Sequence, residues 1–211
     1  MSGRRANCPN CGAPVEFRWS SAVQAQCPYC RSILVRHDVD LERVGEYADL
    51  PESVSPLQIG SEGVYGGKAF QVVGRVVYEY EDGSWNEWHI LFQNGESGWL
   101  SDAQAQYAVT RLADAGRPLP NARDLKPGFR LILGGREYVV SVKTEARYAG
   151  FEGELPFESW EKDRMLFVDL RTEGRAFATI DYSEEPPLFF AGEWVEFDEL
   201  RLKNLREFEG W

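Results

Sequence analysis

Four cysteines carry the clearest chemical signal in this chain. They form two Cys-Pro-x-Cys pairs with the spacing C-x2-C-x15-C-x2-C, at Cys8, Cys11, Cys27 and Cys30. Each short turn brings two thiolates to one ion, and four thiolates fill the tetrahedral coordination of Zn²⁺ without leaving a position for a catalytic water. The spacing therefore predicts one structural Zn²⁺ per chain.

The segment around these cysteines, residues 1–36, is predicted to be a zinc ribbon. About 30 residues bury too little apolar surface to fold alone, whereas structural zinc contributes on the order of 10–16 kcal/mol in comparable peptides. We therefore expect the ribbon to unfold when the metal is removed. Iron as a minor occupant, unligated core thiols and a redox-active pair are the alternatives that the spacing leaves open.

The rest of the chain contains none of the familiar enzyme motifs. It has no phosphate-binding loop, no His-Glu-x-x-His pair and no Gly-x-Ser-x-Gly turn. His89 lies in an apolar run, where a hydrogen-bonded strand histidine is more common than a general base, and His37 has no vacant ligand position to fill. We therefore predict no catalytic residues. An unfamiliar enzyme that uses carboxylates or His89 is the less favoured alternative.

An acidic segment at 150–156 is the best candidate for a ligand site. Glu152 and Glu154 stand two residues apart and would share one face of a strand, and Asp181 and Trp160 could join them if the strands pair. Carboxylates beside aromatic rings suit a cation, through charge and through cation–π contacts of roughly 0.5–2 kcal/mol. The alternative is a solvated acidic edge that keeps sheets from aggregating.

Three tryptophans, Trp85, Trp88 and Trp99, lie close together in the sequence. Packing in the core is the usual role of such residues, and an exposed recognition face is the alternative. Neither role identifies a partner.

The elements that must position these groups are predicted to be strands. After residue 56 the chain alternates short apolar runs with Gly, Asn and Asp, and Asp82-Gly83 and Asn94-Gly95 predict hairpin turns. Helix is predicted only at 102–109 and 198–206. The predicted fold is mainly β, with the N-terminal four-cysteine zinc ribbon followed by two duplicated small units that resemble barrels or sandwiches.

A repeat divides the body into these two units. Gly60 precedes Gly66-Gly67 by the same spacing with which Gly128 precedes Gly134-Gly135, and similar apolar residues follow each glycine pair. The predicted boundaries are a zinc ribbon at 1–36, an acidic linker at 37–56, a first β repeat at 57–112, a linker at 113–124, and a second β repeat with the C-terminal tail at 125–211.

Charge is distributed unevenly between the ribbon and the body. Residues 1–36 carry five Arg and one Glu, a charge of +4, so the remainder of a chain with net charge −11 carries −15. This field repels nucleic acid and phospholipid headgroups, which disfavours both as partners. Because the four Cys serve the metal motif, and because no signal peptide or apolar run of roughly 18 residues is present, we expect a cytoplasmic protein without membrane insertion.

The body also resembles a bacterial family catalogued as domain of unknown function 4178. The resemblance rests on residues 60–75, on Trp85 and Trp88, and on residues 94–102. A second stretch, within 152–183, is similar to the same family and implies a second copy, and the ribbon is similar to one found in family members. The resemblance implies an association with polyamine-synthase-like enzymes and membrane-stress proteins. No catalytic residues are established for the family, so it implies none here.

These features together predict a non-enzymatic adaptor or scaffold. The zinc ribbon would dock a protein partner, and the β body would supply a second protein-binding surface in a membrane-stress or polyamine-linked system. The alternative from another class is a module that binds a polyamine or similar cation. Nucleic-acid binding through the arginine and aromatic residues of the ribbon is the least favoured hypothesis.

Overall fold

In the computed structural model, which describes residues 4–37, 40–46, 50, 54–158 and 164–207, regular structure is almost entirely β. The N-terminal strands are β1 (Arg4–Asn7), β2 (Pro14–Phe17), β3 (Gln24–Gln26), β4 (Ser32–His37) and β5 (Asp40–Glu46). The next group is β6 (Glu62–Tyr65), β7 (Lys68–Tyr80), β8 (Gly83–Phe92), β9 (Ser97–Ala103) and β10 (Gln106–Leu112). The last group is β11 (Arg130–Leu133), β12 (Arg136–Leu155), β13 (Met165–Arg171), β14 (Ala176–Asp181) and β15 (Leu188–Val195). The prediction of a mainly β fold with an N-terminal cysteine cluster is confirmed.

Helix is confined to two short 3₁₀ segments in the described part of the chain, Ala122–Asp124 and Phe197–Leu200. Neither these nor any other described helix is long and apolar enough to cross a bilayer. The helix predicted at 102–109 is wrong, because this stretch is the β9–β10 hairpin and its turn residues Gln104 and Ala105 have φ values of 52° and 62°. At 198–206, helix is limited to the 3₁₀ turn.

Part of the predicted acidic linker at 37–56 extends the ribbon. Within it, β5 pairs antiparallel with β4, so the sheet of the ribbon has three strands, β3, β4 and β5. Residues 38–39, 47–49 and 51–53 lie outside the described residues.

The strands of the body form a closed sheet. Neighbours along the chain pair antiparallel, as β7–β8–β9–β10 in the first half and as β12–β13–β14–β15 in the second. In addition β7 pairs with β12, and β10 pairs with β15, so these eight strands make a closed cycle. The two predicted units are therefore joined along two seams.

Among the described residues, one apolar cluster lies within the ribbon, and three others involve the body. One lies in the first half and includes Trp88, and another lies in the second half and includes Leu170. The third combines Tyr78 of the first half, Met165 of the second and Ile33 of the ribbon. The ribbon and both halves therefore share buried contacts.

Glycine permits close approach at both seams. A Cβ atom on Gly192 would lie 1.8 Å from the carbonyl oxygen of Val109, where β15 meets β10. One on Gly74 would lie 2.1 Å from the carbonyl oxygen of Glu154, where β7 meets the end of β12. Both distances are far below van der Waals contact, so larger residues at these positions would force the strands apart.

Candidate metal centre and its contact with the closed sheet

Two matching turns present the four cysteines. The first joins β1 to β2 and the second joins β3 to β4. The N–H of Gly12 donates to the carbonyl of Cys8 at 2.8 Å, and the N–H of Arg31 donates to the carbonyl of Cys27 at 2.9 Å. Gly12 and Arg31 both have positive φ, at 76° and 59°. The same local geometry therefore repeats at each Cys-Pro-x-Cys turn.

The sulfur positions fit a single metal ion. The Sγ atoms of Cys8 and Cys30 lie 3.7 Å apart, those of Cys11 and Cys27 lie 3.8 Å apart, and all four lie within 4.8 Å of one another. A tetrahedral ion with metal–sulfur bonds of ~2.3 Å holds its ligands ~3.8 Å apart, whereas a disulfide requires ~2.05 Å. The four thiols can therefore ligate a metal and are not paired as disulfides.

Polar groups beside Cys30 favour the thiolate that a metal requires. The Ser32 hydroxyl lies 3.3 Å from the Sγ atom of Cys30. Hydrogen bonding to Ser32, with a further contribution from the side chain of Asn10, lowers the pKa of the Cys30 thiol to about 5. Metals bind deprotonated cysteine, so these contacts favour the coordinating form of Cys30, whereas burial raises the pKa of the Cys27 thiol.

The metal-binding end of the ribbon faces solvent. Cys8 and Cys27 are buried, whereas Cys11 is exposed. Tyr29 occupies the variable position of the second Cys-Pro-x-Cys turn, and 68% of its surface is exposed. An aromatic side chain is thus presented next to the metal centre.

Glu154 attaches the ribbon to the closed sheet. The residue is only 6% exposed, and its carboxylate accepts hydrogen bonds from two ribbon backbone groups, the N–H of Arg18 at 2.7 Å and the N–H of Trp19 at 2.9 Å. Burial raises the pKa of Glu154, and the two amide hydrogen bonds oppose that rise. Because β3 also pairs with β12 at Glu154, both the side chain and the backbone strand position of this residue contact the ribbon.

His89 completes this attachment. It is fully buried, and its Nδ1–H donates to the carbonyl oxygen of Glu154 at 3.0 Å. Its imidazole packs between Trp19 of the ribbon and Trp99 of the closed sheet, with ring centroids 5.0 and 5.1 Å away. Burial lowers the pKa of His89 to about 4, so the imidazole is neutral near pH 7.

The other predicted ligand residues have separate partners. Glu152 accepts a hydrogen bond from Nη1 of Arg75 at 3.0 Å, and Asp181 accepts one from the backbone N–H of Ser183 at 2.8 Å. A positive φ of 71° at Gly153 interrupts the regular alternation of side chains between Glu152 and Glu154. Trp160 lies outside the described residues. A shared cation site therefore stays a prediction.

The three predicted tryptophans pack within the body. Trp88 is fully buried beneath the guanidinium of Arg75, at 5.0 Å. Trp85 is half-buried and contacts Phe167 of the second half, with ring centroids 5.6 Å apart. Trp99 is half-buried beside His89. Packing therefore accounts for this aromatic-rich stretch, in which Trp85 contacts the second half.

Sequence reasoning did not single out Glu87, which lies on the same strand face as Trp85 and His89. Its carboxylate accepts hydrogen bonds from Nε1 of Trp85 at 3.0 Å and from the Ser101 hydroxyl at 2.8 Å. Burial raises the pKa of Glu87 to about 7, and the nearby carboxylates of Asp169 and Asp102 add to the rise. The alternation Trp85-x-Glu87-x-His89 could have indicated it, because residues two apart on a strand face the same side. Glu87 therefore lies between two side chains whose rings are packed.

Comparison with known families identifies the body. A family model described as Domain of unknown function (DUF4178) matches residues 58–197. The chain belongs to this family. The DUF4178 match covers both halves of the closed sheet and excludes the ribbon. No curated protein and no solved structure matches the chain.

Proposed function

We propose that this DUF4178 protein is a non-enzymatic cytoplasmic adaptor whose ribbon docks a protein partner. The observation that carries the proposal is the orientation of the ribbon. One end is anchored to the closed sheet through Glu154 and His89, while the other exposes Tyr29 beside the metal centre. A recognition element with a fixed orientation loses little entropy on binding, and tyrosine is enriched among the residues that dominate binding energy.

The metal in this proposal is Zn²⁺, one per chain. Four thiolates in a tetrahedral arrangement suit Zn²⁺ or iron, and a closed set of four ligands assigns the ion a structural role. Metal analysis of purified protein is the test. Zinc at one equivalent supports the assignment, whereas iron with thiolate absorption bands in the visible spectrum contradicts it.

The adaptor role is tested by replacing the exposed side chain of Tyr29 while leaving the four cysteines unchanged. Affinity capture from the native host, quantified by mass spectrometry, would compare the wild type with Tyr29→Ala. We expect at least one protein to be captured by the wild type and lost with Tyr29→Ala, while both forms retain one equivalent of zinc. Val54→Ala is the control, because Val54 is also exposed but lies outside the ribbon.

Two results would contradict the adaptor role. One is an unchanged set of captured proteins in Tyr29→Ala. The other is capture of nothing beyond what an unrelated acidic protein captures. A Cys8→Ser, Cys11→Ser variant shows in addition whether loss of the metal has the same effect as loss of Tyr29.

We further infer that the body arose by duplication of one β unit. The support is the matched order β6–β10 and β11–β15 and the glycine pairs that join the first two strands of each group. Gly66 and Gly67 have φ of 56° and 75°, and Gly134 and Gly135 have 54° and 75°. An experimental structure in which the two strand groups do not superpose would contradict this inference.

The binding of a cationic small molecule at Glu152, Glu154, Asp181 and Trp160 has less support. Each of the three carboxylates already has a protein hydrogen-bond partner. Calorimetry with spermidine tests it, because saturable heat lost in Glu152→Gln would favour this function over the adaptor.

A further inference from the structure

The outer edge of β11 differs from the equivalent edge in the first half. β6 and β11 each open a half of the body and each precede a Gly-Gly turn. The edge of β6 is covered by the chain after β15, where Glu62 and Lys203 exchange backbone hydrogen bonds of 3.1 and 2.8 Å. Over the described ranges, β11 pairs with β12 alone. Just past its end, the N–H of Gly134 donates to the carbonyl oxygen of Ala115 at 2.8 Å, so the part of the outer edge that a further strand could reach is Arg130–Ile132.

The backbone of β11 has groups that point towards this edge. The two-residue turn at 134–135 makes Leu133 the hydrogen-bonded partner of Arg136. Antiparallel partners alternate between hydrogen-bonded and non-hydrogen-bonded pairs. By this alternation, the N–H and C=O groups of Arg130 and Ile132 point away from β12. An added strand would find two donors and two acceptors there.

The side chains along this edge include exposed apolar groups. Ile132 is 57% exposed and Phe129, just before the strand, is 47% exposed, whereas Leu131 and Leu133 are buried. Edges are usually protected from pairing by charged residues or by proline, and β11 carries one such charge, Arg130. An isoleucine and a phenylalanine exposed at an edge are instead suited to being covered by a partner.

The surroundings of β11 are basic in a molecule that is otherwise acidic. Residues 115–136 contain one acid, Asp124, and five basic residues, so the segment carries +4 while the rest of the body carries −19. On the neighbouring strand, the carboxylate of Glu137 lies 3.6 Å from the guanidinium of Arg130 and offsets one of these charges. The basic residues are all exposed, and they are Arg117, Arg123, Lys126, Arg130 and Arg136. Such a segment attracts carboxylates and favours an acidic partner over a basic one.

We propose that β11 is the docking edge for an extended acidic segment of a partner protein, which adds a strand beside Arg130–Leu133. The proposal rests on the adaptor function, since it specifies how the body contacts its partner. Backbone hydrogen bonds would provide binding, apolar residues of the partner would cover Ile132 and Phe129, and its carboxylates would face the basic residues. The covered edge of β6 shows the same kind of contact within the chain.

The experiment selects peptides on the intact, zinc-loaded protein. A displayed library of random peptides about twelve residues long would be enriched for binding, and selected peptides would be synthesised and titrated. We expect sequences that alternate apolar and acidic residues, with binding at least about tenfold weaker to Ile132→Asp and to Arg130→Glu. Ile132→Val is the matched control and should bind normally. Bound peptide should also slow the hydrogen exchange of the Arg130 and Ile132 amides.

Four results would overturn the proposal: no enriched peptide, peptides that bind Ile132→Asp as tightly as the wild type, self-association of the wild type that Ile132→Asp abolishes, or sedimentation with phosphatidylglycerol vesicles that Arg130→Glu abolishes. The third would make a second copy the occupant, and the fourth an anionic membrane. Since Tyr29 takes no part in these measurements, failure at β11 and failure of the ribbon as a docking element are distinguishable.

Discussion

At the scale of single residues, the carboxylate of Glu154 links the ribbon to the closed sheet through the backbone N–H groups of Arg18 and Trp19. Glu154→Ala would leave these two donors without their acceptor in a buried place. Each such loss costs about 1–3 kcal/mol, so we expect the free energy of unfolding to fall by about 2–6 kcal/mol. Chemical denaturation of the zinc-loaded protein measures this change.

Glu145→Gln is the matched control for Glu154→Ala, because Glu145 is an exposed carboxylate on the same strand. It should change the free energy of unfolding by less than about 0.5 kcal/mol. Equal effects of the two substitutions would contradict the anchoring role of Glu154. Release of zinc to a chelator should also be faster in Glu154→Ala than in Glu145→Gln.

Glu87 makes stability depend on pH. Burial raises its pKa from 4.5 to about 7, so the folded protein holds this proton more tightly than the unfolded chain. The resulting stabilisation is complete below about pH 4.5 and is lost as the pH rises through about 7. Each pKa unit corresponds to ~1.4 kcal/mol, which limits the effect to about 3 kcal/mol.

Glu87→Gln tests this dependence, because glutamine retains an acceptor for Trp85 and Ser101 but has no proton to lose. Relative to the wild type, the variant should become more stable as the pH rises from about 6 to about 8.5. Denaturant titrations at several pH values provide the measurement. A stability difference that does not vary with pH would show that Glu87 does not titrate in this range.

At the scale of elements, we expect the ribbon to depend on a bound metal for its folding and the closed sheet to fold without one. Among the described strands, the ribbon pairs with the main sheet through β3 and the end of β12, and the eight strands of the closed sheet complete their cycle without it. Chelation of the metal should therefore unfold the ribbon and leave the closed sheet folded. Hydrogen exchange followed by mass spectrometry should show loss of protection at 24–37 and retained protection in β8 and β14.

Unfolding of the closed sheet together with the ribbon would contradict this separation. Restoring zinc should return the protection of 24–37, and Cys8→Ser in the absence of chelator is a second route to the same state.

The element types were predictable because their signals are local. The Cys-Pro-x-Cys spacing predicts the metal turns, and the glycine pairs predict the turns before β7 and β12. Helix was wrongly predicted at 102–109 because the two turn residues of this hairpin, Gln104 and Ala105, adopt positive φ without being glycine. Asp40–Glu46 was assigned to a linker because acidic composition is typical of linkers, whereas this segment is a strand that pairs with β4.

At the scale of the whole molecule, each half depends on the other. The apolar cluster of the first half includes Val195, at the end of the last strand of the second half, and Leu200, which follows it. A fragment comprising residues 57–112 would lack these residues and would have unpaired edges at β7 and β10. We expect it to be unfolded, with poor dispersion in its NMR spectrum, whereas a fragment comprising residues 54–207 should fold.

A well-dispersed spectrum with cooperative unfolding for 57–112 would show that the seams are dispensable. These seams could not be predicted from the sequence, because the pairing of β7 with β12 and of β10 with β15 joins residues distant in the chain. The repeat predicts similar halves but does not determine how they meet. For the same reason the role of Glu154 was not predictable, since its partners at Arg18 and Trp19 lie far away in sequence.

The length of β12 has a consequence for how this family can vary. Along its 20 residues, this strand pairs in turn with β11 and β13, with β7, and with β3. Successive side chains on a strand point to opposite faces of the sheet. Deleting one residue near the start of β12 would therefore move every later side chain of this strand to the opposite face, at all of these contacts. Length variation among relatives should therefore be excluded from 136–155 and should accumulate in stretches such as 113–121, where an inserted residue alters only a surface connection.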